Sequence, residues 1–312
     1  MNLFVGAVSV GFLLSLLTLG VFITYRVMGR LDLTIDGSFG LGGAVVAALL
    51  AHGVHPILAT IAAAAAGWLA GATTGLIYVL LGVDTLLAGI LVTTALYTIQ
   101  LYIMHGGNVS LGALDTLPEV SQRIWHGLHL PDSLTLAGTS VADNLFSAML
   151  LFIAWVLFSI WVLARFLRTD LGLGLRAAGG NAQASRALGL DTGLMVTLGL
   201  LLANGLVALA GALFAQYQGF ANVSMGIGMI VSGLACLVLG EGLLGRRTLR
   251  RQIAGTLFGT IAFRLLVALA LVAGLPADAL KLSTALFVLA ALVVPGALAR
   301  LRRRVRPDGG PA

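Results

Sequence analysis

Fifteen of the chain's eighteen lysine and arginine side chains fall in short connections and ends that share one side of a membrane once the apolar stretches are threaded through it in order. The composition requires such threading. Of the 312 residues 59% are apolar and only 10% charged, and the mean hydropathy of +1.04 leaves too little polar surface to clothe a water-soluble globule. Runs of about 20 residues able to cross the hydrocarbon predict an all-α, polytopic transmembrane bundle of eight or nine spans. They lie near 4–25, 38–52, 56–81, 85–104, 145–167, 192–215, 224–244, 253–274 and 278–298. The second is short and glycine-rich, so its boundaries between residues 30 and 55 stay open.

Taking the run Arg300, Arg302, Arg303, Arg304 and Arg306 as cytoplasmic, alternation puts Arg26, Arg30, Arg165, Arg168, Arg176, Arg186, Arg246, Arg247, Arg250 and Arg251 on the same side. Arg123 and Lys281 fall outside, and Arg264 lies within a span. An odd number of spans then leaves the N-terminus outside. Residues 1–299 read as a single membrane domain with an outer loop at 105–143 and a cytoplasmic loop at 169–191, followed by a basic tail, 300–312. The sequence pI of about 10.2 reports this topology and carries no nucleic-acid inference. The first span has no basic n-region and no small-x-small cleavage site, so it is expected to stay as a helix.

Several chemistries are excluded. A Walker A loop needs a glycine-rich turn ending in Gly-Lys-Ser/Thr, and the single lysine, Lys281, sits in Ala279-Leu280-Lys281-Leu282. If ATP drives this protein, a partner hydrolyses it. An intramembrane Ser/His site would bring both residues to one depth, yet His52, His55, His105, His126 and His129 fall on the outer side and Ser232 lacks a Gly-x-Ser-x-Gly context. His126 and His129 read as surface residues, not zinc ligands, and the lone Cys236 as a buried packing residue. No catalysis, metal or cofactor is expected in the chain.

The loop between the fifth and sixth spans is patterned. Asn181 is a suitable N-cap, residues 182–188 favour helix, and Gly189 is a natural C′ stop. This predicts two turns of helix on the cytoplasmic face with Ala184, Ala187 and Leu188 on one side and Arg186 near the edge. A short helix of small residues suits docking into a partner's groove; from composition alone, rest on lipid is an equal alternative.

The segment resembles the cytoplasmic coupling loop of bacterial ABC importer permeases of the branched-chain amino acid and ribose type, in which a glycine-rich run leads to Arg-Ala-x-Gly-x-Asn and a helix ending Ala-Leu-Gly-hydrophobic. The matching residues are Arg176, Ala177, Gly179, Asn181, Ala187, Leu188, Gly189 and Leu190. The stretches Asp32-Leu33-Thr34-Ile35-Asp36-Gly37-Ser38-Phe39, Leu86–Tyr97 and Gly107-Asn108-Val109-Ser110-Leu111 resemble the permease subfamily assigned to tryptophan or tyrosine transport. Departures include Ala182 where the family has Glu, Gly40 where Pro is common and Gln100 where Asn is common. The resemblance implies a multi-pass protein of the bacterial inner membrane that forms homodimers. It implies cytoplasmic ATPase subunits, which bind ATP and magnesium, gripping the loop through Arg176, Gly179, Asn181, Ala184, Arg186, Leu188 and Gly189. It further implies a periplasmic solute-binding protein that delivers an aromatic or branched-chain amino acid to the 105–143 side. A secondary transporter or channel is the rival class, but the chain offers no clearly mid-membrane carboxylate for ion coupling; an exporter permease or scaffold would need no binding protein.

Polar residues within spans mark packing faces or a path for solute. Thr34, Asp36 and Ser38 stand at what reads as an interrupted, glycine-rich entry to the second span, where Asp36 or Ser38 is expected to cap the helix and can also face a solute. Thr94 and Thr98 share a helical face, with Thr93 and Gln100 nearby, and Asn204 lies in the sixth span. For each, hydrogen bonding between helices competes with a role on the path. Arg264 costs on the order of 2.5–3.5 kcal/mol at mid-bilayer on insertion scales. An ion pair with Glu241 or contacts with carbonyls would compensate it, and binding a solute carboxylate is the other reading. Gly67-Gly71-Gly75 and Gly255-Gly259 are expected to build close helix crossings.

Overall fold

The computed structural model describes residues 2–127, 133–136, 139–274 and 289. The ninth expected span, Lys281, the basic tail, His129 and parts of the 105–143 loop lie outside the described residues. Among those described, eight helices are long and apolar enough to cross a membrane. The bundle is all-α apart from two short antiparallel β pairs.

The first span comprises α1, Asn2–Val21, and a π-helical continuation, Phe22–Val27. Next come α2 (Thr34–Ala51), α3 (Pro56–Leu81) and α4 (Thr85–Ile103). After β1 (Asn108–Ser110) and the amphipathic α5 (Leu117–Gly127), a hairpin of β2 (Ser133–Leu136) and β3 (Thr139–Ala142) leads into α6 (Asp143–Phe166). Two short helices, α7 (Asp170–Gly180) and α8 (Ala182–Ala187), precede α9 (Thr192–Gln218). The chain then runs through β4 (Phe220–Asn222) and a 3-10 turn, Val223–Gly226, into α10 (Met229–Leu244) and α11 (Leu249–Val272).

Burial separates the central helices from the outer ones. The first span, α2 and α9 are apolar on every side and are 72% buried, whereas α3 and α4 are 28% buried and present Leu58, Leu69, Leu80, Leu91 and Tyr102 outward, as lipid-facing helices do. Leu13, Leu16, Leu19, Phe22, Ile23 and Phe39 are fully enclosed between them. Helix α9 crosses α3 at Gly67, Gly71 and Gly75, where any added Cβ would strike Asn204, Leu200 or Thr197. Gly42 of α2 and Gly211 of α9 face the carbonyls of Ala208 and Phe39 in the same way. At the α10–α11 crossing Gly240 meets Gly255 and Gly259 meets Cys236. Both glycine series therefore build the bundle, as expected, because without a hydrophobic drive between helices in lipid the backbones must approach closely to gain dispersion contacts.

Helix starts at one end are fixed by side-chain caps: Asp84 accepts from Leu86 N, Thr169 from Gly172 N, Asp191 from Gly193 N and Leu194 N, and Thr248 from Arg251 N. The same end carries ten arginines, Arg26 to Arg251 of the list above, and is called the basic end. At the opposite end β1 pairs with β4 in the register Asn108↔Asn222 and Ser110↔Phe220. There Gln216 accepts from Leu117 N at 3.0 Å and donates to Thr60 Oγ1 at 2.9 Å, tying α5 and α3 to α9. Edge-to-face contact of Trp125 with Phe146, centroids 5.7 Å apart, seats α5 on α6.

The second span departs from expectation. Helix α2 starts at Thr34, not near residue 38, and runs without interruption through Gly37, Gly40, Gly42 and Gly43. Glycine weakens an isolated helix by about 0.5–1 kcal/mol per residue relative to alanine. Here the four positions abut Thr93, Gln100, Ala208 and Met225, so close packing offsets that cost.

Candidate functional site

Two clusters concentrate the polar chemistry: a buried network where α2 begins, and the α7–α8 pair at the basic end. Asp32, with 0% exposure, lies just before α2. Its Oδ1 accepts from Thr34 N at 2.9 Å and its Oδ2 accepts from Asn204 Nδ2 at 2.7 Å. Ser38 Oγ donates to Asn204 Oδ1 at 2.7 Å, and Asn204 Nδ2 also donates to the Leu200 carbonyl. Thr34 and Thr74 share a hydroxyl contact of 2.7 Å, and Thr93 Oγ1 donates to the Leu33 carbonyl. Asn204 is twelve residues into α9, about 18 Å at 1.5 Å per residue, so the network sits deep in the bundle.

The expected cap of α2 by Asp36 or Ser38 is replaced by Asp32, which takes the first N–H. Both expected residues are committed elsewhere by tertiary contacts. Ser38 belongs to the Asn204 network. Asp36 Oδ2 accepts from Gly228 N at 2.9 Å and Oδ1 from Ile230 N at 2.8 Å, so its carboxylate caps α10 instead, where the helix dipole favours an anion.

On α4, Thr94 and Thr98 are exposed on the outer surface of the bundle beside Tyr97, and Thr94 Oγ1 donates to the Ile90 carbonyl. They do not meet the network around Asn204. Gln100, on the buried side of α4, donates Nε2 to the Gly37 carbonyl at 2.9 Å. An apolar groove of about 450 Å³ between α2, α3 and α4 is lined by Leu41, Val45, Leu69, Leu91 and Ile99 among others and contains none of the expected path residues.

Arg264 and Glu241 do not pair. Glu241 stands three residues before the end of α10, and Arg264 fifteen residues past the start of α11, about 22 Å along that helix. Glu241, whose side chain is 3% exposed, instead binds Arg26 Nε at 2.6 Å and Arg246 Nη2 at 2.7 Å. Among the described residues Arg264 Nε is buried without a hydrogen-bond partner. Sequence reading passed over Arg26 and Tyr78 as site residues; Arg30 Nη2 donates to Tyr78 Oη at 3.0 Å. Both are polar residues close to span ends, where nothing local distinguishes an interhelical partner from a solvated side chain.

At the basic end Asn181 Oδ1 accepts from Ala184 N at 3.0 Å, and Gly189 has φ 83°, so α8 is capped at both ends by the expected residues. The glycine-rich run before it is itself a helix, α7, whose Gly172, Gly174, Leu175 and Ala178 are buried. Ala184, Arg186 and Leu188 face outward, Leu188 with 83% exposure. Arg176 is also exposed, whereas Gly179 is turned inward against the Val27 carbonyl.

Residues 3–295 match the family described as branched-chain amino acid transport system / permease component. The chain is 34% identical over 280 residues to the tyrosine transport system permease protein of Clostridioides difficile (strain R20291), covering 90% of this chain and 87% of that protein. It is 25% identical over 253 residues to the ribose import permease protein of Escherichia coli (strain K12), covering 81% and 70%. Among solved structures, PsaBC from Streptococcus pneumoniae in complex with Fab shares the fold, with a TM-score of 0.51 and 16% identity over 93% of this chain and 89% of that one. The resemblance drawn from the Asp32–Phe39 and Arg176–Leu190 motifs is therefore met along almost the whole length: the chain belongs to the branched-chain amino acid transport system permease component family, a membrane-embedded transport subunit for a small solute.

Proposed function

We propose that the protein is the membrane subunit of an ATP-driven importer and that it moves a small solute, an aromatic or branched-chain amino acid, across the bacterial inner membrane. Two copies form the translocation unit. Cytoplasmic ATPase subunits, which hold ATP and magnesium, engage the α7–α8 pair, and a periplasmic binding protein delivers solute to the opposite end, where α5 and the β1–β4 pair are exposed. The observation that carries this reading is α8 itself. This six-residue helix is capped at both ends and holds Leu188 83% exposed at the polar end of the bundle, an arrangement that suits insertion of an apolar tip into a partner's groove. The amino-acid assignment draws on the tyrosine transport permease relative. Thr94, Tyr97 and Thr98 on the outer face of α4 fit the wall of a path between two copies, since polar side chains in a span turn toward protein or water.

The test is recovery of the tagged full chain from native membranes in mild detergent, with mass spectrometry of what accompanies it, for wild type and Leu188→Glu. A stoichiometric ATPase with the wild type that is lost from the variant supports the reading. A stable oligomer of the chain free of any ATPase would overturn it.

A further inference from the structure

The segment between α1 and α2 touches α3, α7, α9 and α10. Its π-helical turn, Phe22–Val27, places the Val27 carbonyl against Gly179 of α7, so closely that any Cβ on Gly179 would overlap it. One residue earlier Arg26 binds Glu241 of α10 at 2.6 Å. Met28 reaches Gly199 of α9, where a Cβ would overlap its Sδ. Arg30 donates to Tyr78 of α3, with its guanidinium carbon 4.7 Å from the ring centroid. Asp32 then binds Asn204 of α9 at 2.7 Å.

We infer that residues 22–32 are the transmission element through which displacement of α7 and α8 reaches the membrane core, with Gly179 and Arg26 as positioning residues. This rests on the reading of α7–α8 as the ATPase contact. Three observations support it. First, α7 and α8 are joined through Asn181 alone, which is the C-cap of one and the N-cap of the other; a push on α8 is delivered to α7. Second, α7 meets Val27 backbone to backbone at Gly179, without a flexible side chain to absorb displacement, and close-packed contacts transmit strain because they are poorly compressible. Third, the receiving element is a π-helical turn, a rare irregularity that recurs at functional sites. From the turn Arg26 reaches α10, and from the residues that follow it Arg30 reaches α3 and Asp32 reaches α9. Motion of α7 is thereby converted into movement of Glu241 at the inner end of α10 and of Asp32 beneath the Asn204 network.

The experiment uses the complete transporter, permease with its ATPase and binding protein, in proteoliposomes, with tyrosine as the transported probe, and reads solute moved per ATP hydrolysed. Gly179→Ala, whose added methyl faces Val27 and not the exposed side of α7, and Arg26→Gln are each expected to keep the ATPase in stoichiometric complex and to lower solute per ATP at least five-fold. A merely structural role would lower the yield of complex without changing this ratio. Wild-type solute per ATP in assembled Gly179→Ala overturns the inference. If Gly179→Ala does not accumulate, Arg26→Gln and Tyr78→Phe decide by the same ratio. Absence of an ATPase from the wild-type complex is a different result: it removes the proposed function and this inference together.

Discussion

Asn204 is the residue on which the buried network turns, because it serves as donor to Asp32 and acceptor from Ser38 at once. Replacing it with leucine keeps the branched four-atom side chain but strands a carboxylate oxygen and a hydroxyl at 0% exposure. An unsatisfied buried group costs about 1–3 kcal/mol, more when charged, so Asn204→Leu is expected to destabilise the protein by about 3 kcal/mol. If the loss comes from the stranded carboxylate, Asp32→Leu in the same chain must return part of it. The double variant should be less damaged than the sum of the singles by about 1–3 kcal/mol, the scale of coupling between residues in one network. Unfolding midpoints of the four proteins in mixed detergent micelles measure this, and strictly additive losses would mean that Asp32 and Asn204 are independent. Asp36 makes the complementary point. Its local context is that of a cap at the entry to an apolar span, yet its two oxygens hold Gly228 N and Ile230 N, partners almost two hundred residues away that no local pattern could indicate.

At the scale of elements, what the sequence made legible was whatever is written locally. The limits of α3, 56–81, and the caps at Asn181 and Gly189 are local facts, set by apolar run length, proline at the first turn and φ preference, and they coincide with the structure. The start of α2 was not legible, since Asp32, Asp36 and four glycines read as a break until α4, α9 and α10 supply their partners. Nor was α7, because glycines at 172, 174, 179 and 180 argue against helix except where neighbouring backbone needs the space. The same local logic makes α8 fragile. Six residues cannot sustain a helix on propensity, and the Asn181 cap contributes about 0.5–2 kcal/mol, enough to decide whether α8 forms. Asn181→Asp preserves an acceptor and is expected to retain ATPase recovery within two-fold, while Asn181→Ala is expected to reduce it at least five-fold. Equal recovery from the two variants would show that the docking element does not depend on its cap.

For the molecule as a whole, orientation follows from the distribution of charge between its two ends. The basic end holds ten arginines against the single Arg123 at the other among the described residues. Of the ten, Arg26 and Arg246 are bound to Glu241, and most of the others stand exposed beside α7, α8 and the α10–α11 turn. Retention of arginine-rich short loops in the cytoplasm sets the orientation of multi-span proteins, so the α8 end is expected to face the cytoplasm and the β1–β4 end the periplasm. The chain suits a direct measurement, because its one cysteine, Cys236, is 3% exposed and lies within the α10–α11 crossing, leaving a silent background. A cysteine placed at Ser110, exposed at the β1 end, should react with a membrane-impermeant maleimide in intact spheroplasts. One at Leu188, in the permease expressed without an ATPase to cover it, should react only after lysis. Labelling of Leu188→Cys in intact spheroplasts would place α8 outside the cell, where no cytoplasmic ATPase could reach it, and the charge asymmetry would then need a cause other than topology.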